Sequence, residues 1–305
     1  MSQASRYRGN AEAGDISLVV DDPNLELVND DHLLRLNVRP KFFKYLRQLW
    51  GRRYFIAAEA NGKSFDSQRD MFLGRAWVIL SPLLDAALYG VLFGLLLRTS
   101  RGIENFIGYL IIGIIFFGYM QMGLIGGTTL IKSSQNMIAA FTFPRAALVF
   151  SQTVRNFIAG LAPALVAIVG ALAFQWGNPP TWRIFLIIPL YILIHVFATG
   201  TMFIVARLCA FVPDLRTLVR VAGRAWFFTS GVFFSIERYA TVPIIQEIMV
   251  ANPAYQFLQA VRGVVMYADV PGLQTWVYLT AWAFGTFGVG LIFFWRAEER
   301  YGTLH

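Results

Sequence analysis

The chain has 305 residues, 56% of them hydrophobic and only 14% charged, with a mean hydropathy of +0.54 and a net charge of +8. This is more apolar surface than one water-soluble domain of that size buries, and it places the chain in a bilayer. One cysteine, Cys209, and three histidines exclude a disulfide-stapled secreted protein and leave little material for a zinc site. The charges gather into a few segments between long uncharged runs, which speaks against nucleic-acid binding and against a disordered chain.

Three regions follow from the charge pattern. Residues 1–34 hold two basic and seven acidic residues and form an acidic cytoplasmic extension, disordered or packed on a partner. Residues 35–75 hold ten basic and three acidic residues and contain a basic interfacial helix. On a helical wheel Phe42, Phe43, Leu46, Leu49 and Trp50 share an arc of about 120°, with Lys41, Lys44, Arg47 and Arg52 opposite. Such a helix lies flat on an anionic leaflet with its aromatic rings in the acyl boundary. The competing reading, a helix of a small soluble domain, lacks enough other apolar positions for a core. No run in the first 75 residues is apolar enough for a signal-peptide core, so the N-terminus is expected to stay in the cytoplasm.

Residues 76–305 make the membrane domain, with six expected spans at about 76–97, 106–131, 150–174, 183–206, 217–236 and 276–295. Lys and Arg set the orientation, since cationic loops resist translocation. Of the 26, 21 fall on one side and five (Arg98, Arg101, Arg183, Arg238 and Arg262) on the other, which puts both termini in the cytoplasm of a multi-pass inner-membrane protein. The stretch 241–267 is broken by Asn252-Pro253, and each half is too short to cross. It reads as a re-entrant pair of short outer-leaflet helices, the alternative being one kinked span. The fold class is therefore all-α integral membrane: an N-terminal amphipathic interfacial helix, six spans and a re-entrant pair before the last.

Motifs for chemistry are missing. Gly62-Lys63-Ser64 looks like the end of a phosphate-binding loop, but Ala57 stands where the first glycine belongs and no apolar strand leads in, so the chain itself should not hydrolyse ATP. His32, His195 and His305 lie far apart, and no H-E-x-x-H, C-x-x-C or G-x-S-x-G occurs. Asp85 sits near the middle of the first span, where a charge costs about 2.5–3.5 kcal/mol. It must face protein or water, as part of a polar pathway or as a partner-satisfied contact with Arg155, Arg220 or Arg224. His195 is expected to make an interhelical hydrogen bond rather than relay protons. Gly90-x-x-x-Gly94 and Gly123-x-x-x-Gly127 permit close helix contact. The aromatic clusters Trp226-Phe227-Phe228 and Phe233-Phe234 suit either a lipid belt or a conduit on which sugar rings stack.

The order of elements over about 40–305 resembles the type-2 permease subunits of ABC exporters, within them those exporting polyprenyl-linked polysaccharides. The resemblance is carried by the amphipathic segment before the first span, Gly74-Arg75-Ala76-Trp77 through Ser81-Pro82-Leu83, and Asn136-Met137-Ile138 with Phe143-Pro144-Arg145 after the second span. Pro213-Asp214-Leu215 before the fifth span and Asn252-Pro253 complete it. With its acidic extension, the chain is similar to the galactan-exporting members of mycobacteria. The resemblance implies a homodimer around a central path, two separate ABC ATPase subunits beneath it that would hold ATP and magnesium, no cofactor in this chain, and a polyprenyl-diphosphate-linked galactan as cargo among membrane lipids.

The same resemblance makes a coupling helix of about Lys132–Phe143, with Lys132, Ser133, Gln135, Asn136, Phe141, Phe143, Pro144 and Arg145 at the ATPase. A polar body ending in aromatic anchors suits that role, the alternative being an ordinary connecting loop. The first and fifth helices would line the path, nominating Tyr89, Phe93, Trp226, Phe227 and Phe234 as sugar contacts, with Asn252 and Pro253 at the outer gate. The rival functions are a drug or small-lipid exporter of the same family, a membrane-embedded enzyme of the glycan pathway, which lacks clustered acid–base or metal ligands here, and a proton-driven transporter, which would show repeated halves.

Overall fold

A computed structural model describes residues 40–66, 77–92, 103, 105–175, 181–234 and 243–303. The extension 1–34, Gly74 to Ala76, Phe93, Gly94, Arg98, Arg101 and Arg238 lie outside the described residues. Among those described, every regular element is a helix: α1 (Phe42–Gly51), α2 (Arg53–Asp66), α3 (Trp77–Tyr89), α4 (Phe106–Gly127), α5 (Leu130–Ser133), α6 (Gln135–Ala140), α7 (Ala146–Ala173), α8 (Ile187–Phe211), α9 (Leu215–Thr229), α10 (Pro243–Val250), α11 (Pro253–Met266) and α12 (Leu273–Trp295). Short 3-10 turns occupy Trp182–Leu186 and Glu298–Thr303.

Among the described residues, four helices are long and apolar enough to cross a membrane: Phe106–Gly127, Ala146–Ala173, Trp182–Phe211 and Leu273–Trp295. The chain is thus a multi-pass membrane protein. In the regions expected as first and fifth spans the described residues hold the shorter helices α3 and α9, and both regions run on past the described residues, after 92 and 234. At 1.5 Å per residue, α3 and α9 reach only about 20 Å each. A one-residue widening to a π-turn follows α3 at 90–92, and irregular backbone follows α9 at 230–234.

Lipid offers no hydrophobic drive between helices, so close backbone contact carries the packing. Helix α4 is buried around most of its circumference, whereas α7 and α12 expose most of theirs. Gly123 and Gly127 press α4 onto α8: a Cβ on Gly123 would stand 2.3 Å from the Ala198 carbonyl oxygen, and one on Gly127 2.9 Å from that of Met202. On the other side of α8, a Cβ on Gly290 of α12 would meet the Gly200 carbonyl oxygen at 2.4 Å. Asn105 caps α4 by accepting from Gly108 N–H (2.8 Å) and donates to the Ala171 carbonyl (2.7 Å), which ties this end of α4 to the end of α7.

The stretch around Asn252-Pro253 forms two helices, α10 and α11, with Pro253 at the first turn of α11, where its missing N–H costs nothing. His195 bonds within its own helix, to the Tyr191 carbonyl at 2.9 Å, and sits among the rings of Tyr119, Phe157 and Tyr191. Beside it, the hydroxyls of Thr153 and Thr199 join α7 to α8 at 3.0 Å.

The apolar arc of α1 divides. Tyr45 and Leu49 are buried and Phe42 stands edge-on to Trp295 at 5.3 Å, while Phe43 and Trp50 are 84% and 73% exposed. The face turned to the protein is displaced toward Tyr45, whose hydroxyl kept it out of an apolar count. Phe43 and Trp50 form a separate aromatic stripe between the docked face and the basic face that holds Lys44 and Arg47.

Candidate functional site

Two clusters stand out, one at each end of the bundle. At the first, the end of α4, the start of α7 and the end of α12 converge on α1. Helix α4 runs through Thr128 and Thr129 into α5 and α6, which break at Ser134, and then into extended backbone from Phe141. The single helix expected over Lys132–Phe143 is therefore two short helices and a strand-like tail. The two rings of the expected aromatic anchor part company on this tail. Phe141 is 66% exposed, whereas Phe143 is buried against Phe55 of α2, ring centroids 5.3 Å apart. Lys132, Ser133 and Asn136 are exposed and Gln135 is half-buried. Pro144 and Arg145 are buried and belong to the mount rather than to the outer surface.

The mount is a buried polar knot. Glu298 accepts from the Tyr45 hydroxyl (2.8 Å) and the Arg145 backbone N–H (2.7 Å), with the Arg145 guanidinium 3.5 Å away. Tyr45 in turn accepts from Ala146 N–H at 3.0 Å. Burial pushes the Glu298 carboxyl above the usual range, against the opposing pull of its bonds to Arg145 and Tyr45. Burial, then the nearby Glu298 carboxylate, pushes the Tyr45 phenol up. One carboxylate thus joins α1, the segment after α6 and the C-terminal turn. Neither Tyr45 nor Glu298 stood out in sequence, since a lone Tyr and a Glu in a charged tail carry no pattern.

At the second cluster the path aromatics meet. Tyr89 of α3 lies 6.0 Å from Phe227 and 4.7 Å from Phe233, while Phe117 of α4 contacts Trp226 (5.0 Å) and Phe227 (5.1 Å). Tyr89, Trp226, Phe227 and Phe234 are half-buried against the core, and Phe228 is the ring of α9 on its open face, 50% exposed. Asn252 buckles this cluster to α11. Its side-chain oxygen accepts from Trp226 Nε1 and Ala254 N–H, both at 3.0 Å, and its amide donates to Ser230 Oγ at 2.9 Å.

Below the buckle, Arg262 corrects an expectation. Counted as an outer-loop cation, it is fully buried on α11. It donates to the carbonyls of Gly231 (3.0 Å), Val232 (3.0 Å) and Tyr109 (3.2 Å), and its guanidinium lies 3.3 Å from the Tyr109 ring centroid. The Tyr109 hydroxyl adds bonds to Gly231 and Phe234 carbonyls, both 3.0 Å. Where helix α9 stops inside the protein, with Gly231 at φ 62°, its orphan carbonyls need donors, and Arg262 and Tyr109 supply them.

Asp85 is exposed on α3 and has no ion pair among the described residues. Arg155, one of its expected partners, bonds Gln152 of its own helix and lines a small pocket with Glu59. Among the described residues, no three His, Cys, Asp or Glu side chains group as a metal site.

A sequence model of the ABC-2 type transporter family matches residues 64–266. The chain belongs to the ABC-2 type transporter family. Among curated proteins, the chain is similar to the O-antigen export system permease protein RfbA of Myxococcus xanthus, at 23% identity over 260 residues, covering 84% of this chain and 94% of that one. As an ABC-2 transporter the protein is a transport subunit, not an enzyme, and membership implies an ABC ATPase as partner. The match takes in α3 through α11, with the whole of the second cluster and, of the first, the 128–145 segment but not Tyr45, Phe55 or Glu298.

Proposed function

We propose that the protein is the permease subunit of an ATP-driven exporter that carries a polyprenyl-diphosphate-linked polysaccharide, galactan in the narrow reading, outward across the cytoplasmic membrane. Two copies pair around the path, and two ABC ATPases dock beneath. The relative named for O-antigen export supports the polysaccharide class, and the sequence resemblance supports the galactan.

The observation that carries the coupling role is the division at Phe141 and Phe143. An exposed aromatic side chain, on the same stretch as the exposed Lys132, Ser133 and Asn136, stands on a segment whose next residues are locked by Phe55 and by the Tyr45–Glu298–Arg145 knot. A push on Phe141 therefore passes into α1 and α7 without being lost in a flexible loop. The half-buried rings Tyr89, Trp226, Phe227 and Phe234 supply apolar faces on which pyranose C–H groups stack. Asn252 and Pro253 hold the far end of that cluster. Phe43 and Trp50 seat α1 in the leaflet beside its basic face.

Changing Phe141→Asp tests the docking surface. The variant is expected to keep its fold and lose co-purification with the ATPase. Wild-type association and wild-type permease-stimulated hydrolysis would overturn the assignment.

A further inference from the structure

Helix α9 carries Arg216, Arg220 and Arg224 at four-residue spacing, which sets them in one row about 12 Å long. Arg220 and Arg224 are exposed. Among the described residues none of the three has a carboxylate partner: Arg220 bonds only the Arg216 carbonyl (3.4 Å) and Thr217 Oγ1 (3.3 Å), Arg216 Nε is buried with no acceptor, and Arg224 makes no bond. Helix α9 itself holds no acidic residue. Gly223 packs the helix onto Leu124 of α4, so the row runs along the edge of that contact. On its other side the helix exposes Leu218, Val221 and Phe228, at 62%, 51% and 50%.

Guanidinium groups grip phosphate oxygens in bidentate fashion, and a row of them without counter-charges is costly in a membrane protein unless an anion shares it. The neighbouring apolar strip suits a hydrocarbon chain. We propose that Arg216, Arg220 and Arg224 form a rail that binds the phosphate group of a lipid whose tail lies on Leu218, Val221 and Phe228. The row begins where α9 follows α8, at the end of the bundle with the Glu298 knot, and climbs toward Trp226 and Asn252. This inference rests on the exporter reading in taking that lipid to be the phosphate-bearing carrier of the cargo.

The test uses the full chain in phosphatidylcholine nanodiscs and a radiolabelled isoprenyl diphosphate. The wild type is expected to bind it, and an isoprenol of equal length is expected not to compete. Arg224→Gln should weaken binding about tenfold and R220Q/R224Q by a further tenfold or more, as loss of charge-assisted bonds dictates. R220K/R224K should fall between, because ammonium keeps charge without the fork. Unchanged binding in R220Q/R224Q overturns the rail. Equal competition by phosphatidylglycerol overturns the carrier assignment, and equal competition by inorganic diphosphate overturns the role of the apolar strip.

A melt followed by a thiol dye at Cys209 checks the fold, and because Arg224 makes no bond among the described residues its variant should melt as wild type. The two readings fail separately. If the wild-type permease–ATPase complex moves no glycan, the exporter reading fails, whereas wild-type transport and binding by R220Q/R224Q sink the rail alone.

Discussion

Replacing Arg262 separates the two ways in which a buried cation can act. Arg262→Met deletes three donated bonds, each about 1.5–3 kcal/mol in mutational series, and a cation–π contact of about 2 kcal/mol. It also relieves the desolvation of a guanidinium, which costs several kcal/mol. The Gly231 carbonyl keeps the Tyr109 hydroxyl, but the Val232 carbonyl loses the donor 3.0 Å away. The net loss for Met is therefore about 2–3 kcal/mol, dominated by an unpaired buried acceptor. Arg262→Lys keeps the buried charge while a single ammonium cannot span carbonyls on α4 and on the 231–232 turn, so it should lose about 1–2 kcal/mol more than Met despite being the conservative change. Cys209 is the single cysteine and is buried, so a thiol-reactive dye reports unfolding directly. The order wild type, Met, Lys in falling stability is expected, with raised hydrogen exchange confined to 229–234. A Lys variant as stable as wild type would show that charge alone, and not the fork of donors, holds the break.

Three further outcomes follow from the packing and the knot. Glu298→Ala strands the Tyr45 hydroxyl, the Arg145 N–H and its guanidinium, and should cost about 2–4 kcal/mol, whereas Glu298→Gln should cost under about 1.5 kcal/mol. Because burial raises the Glu298 pKa above its unfolded value, its contribution is complete below the ordinary carboxylate range and is lost as pH rises through the folded value. The stability of wild type relative to Glu298→Gln should accordingly rise from about pH 8 to about pH 5, and a fall would contradict this. Gly123→Ala forces apart α4 and α8 and should lower the melting temperature, while Gly118→Ala on the same helix, with nothing within 4 Å of the new Cβ, should leave it unchanged. Equal effects would refute the close-contact account.

The long apolar runs were legible because α4, α7, α8 and α12 each carry about 20 or more residues with almost no charge, and that pattern needs no tertiary information. Asn252-Pro253 announced a break because proline acts locally. What sequence concealed was partnership. Arg262 counted as a loop cation because a charge tally records position along the chain and not whether buried carbonyls wait for a donor. The α1 wheel drew one apolar arc, since periodicity cannot separate a face turned to protein from one turned to lipid. Phe141 and Phe143 looked like one anchor, because a pattern of rings does not say that Phe143 packs on Phe55 while Phe141 stays exposed. Tyr45 and Glu298, 253 residues apart, had no pattern to join them.

The central claim is that this chain opens a route and draws its power from an ATPase seated on the Phe141 surface. Proteoliposomes holding the permease with or without its ATPase, loaded with lipid-linked glycan and supplied with ATP, test it most directly through the amount of glycan that becomes accessible on the opposite face. Transport should require both proteins and ATP and should vanish with Phe141→Asp, while ATP-independent transport by the permease alone would contradict the account.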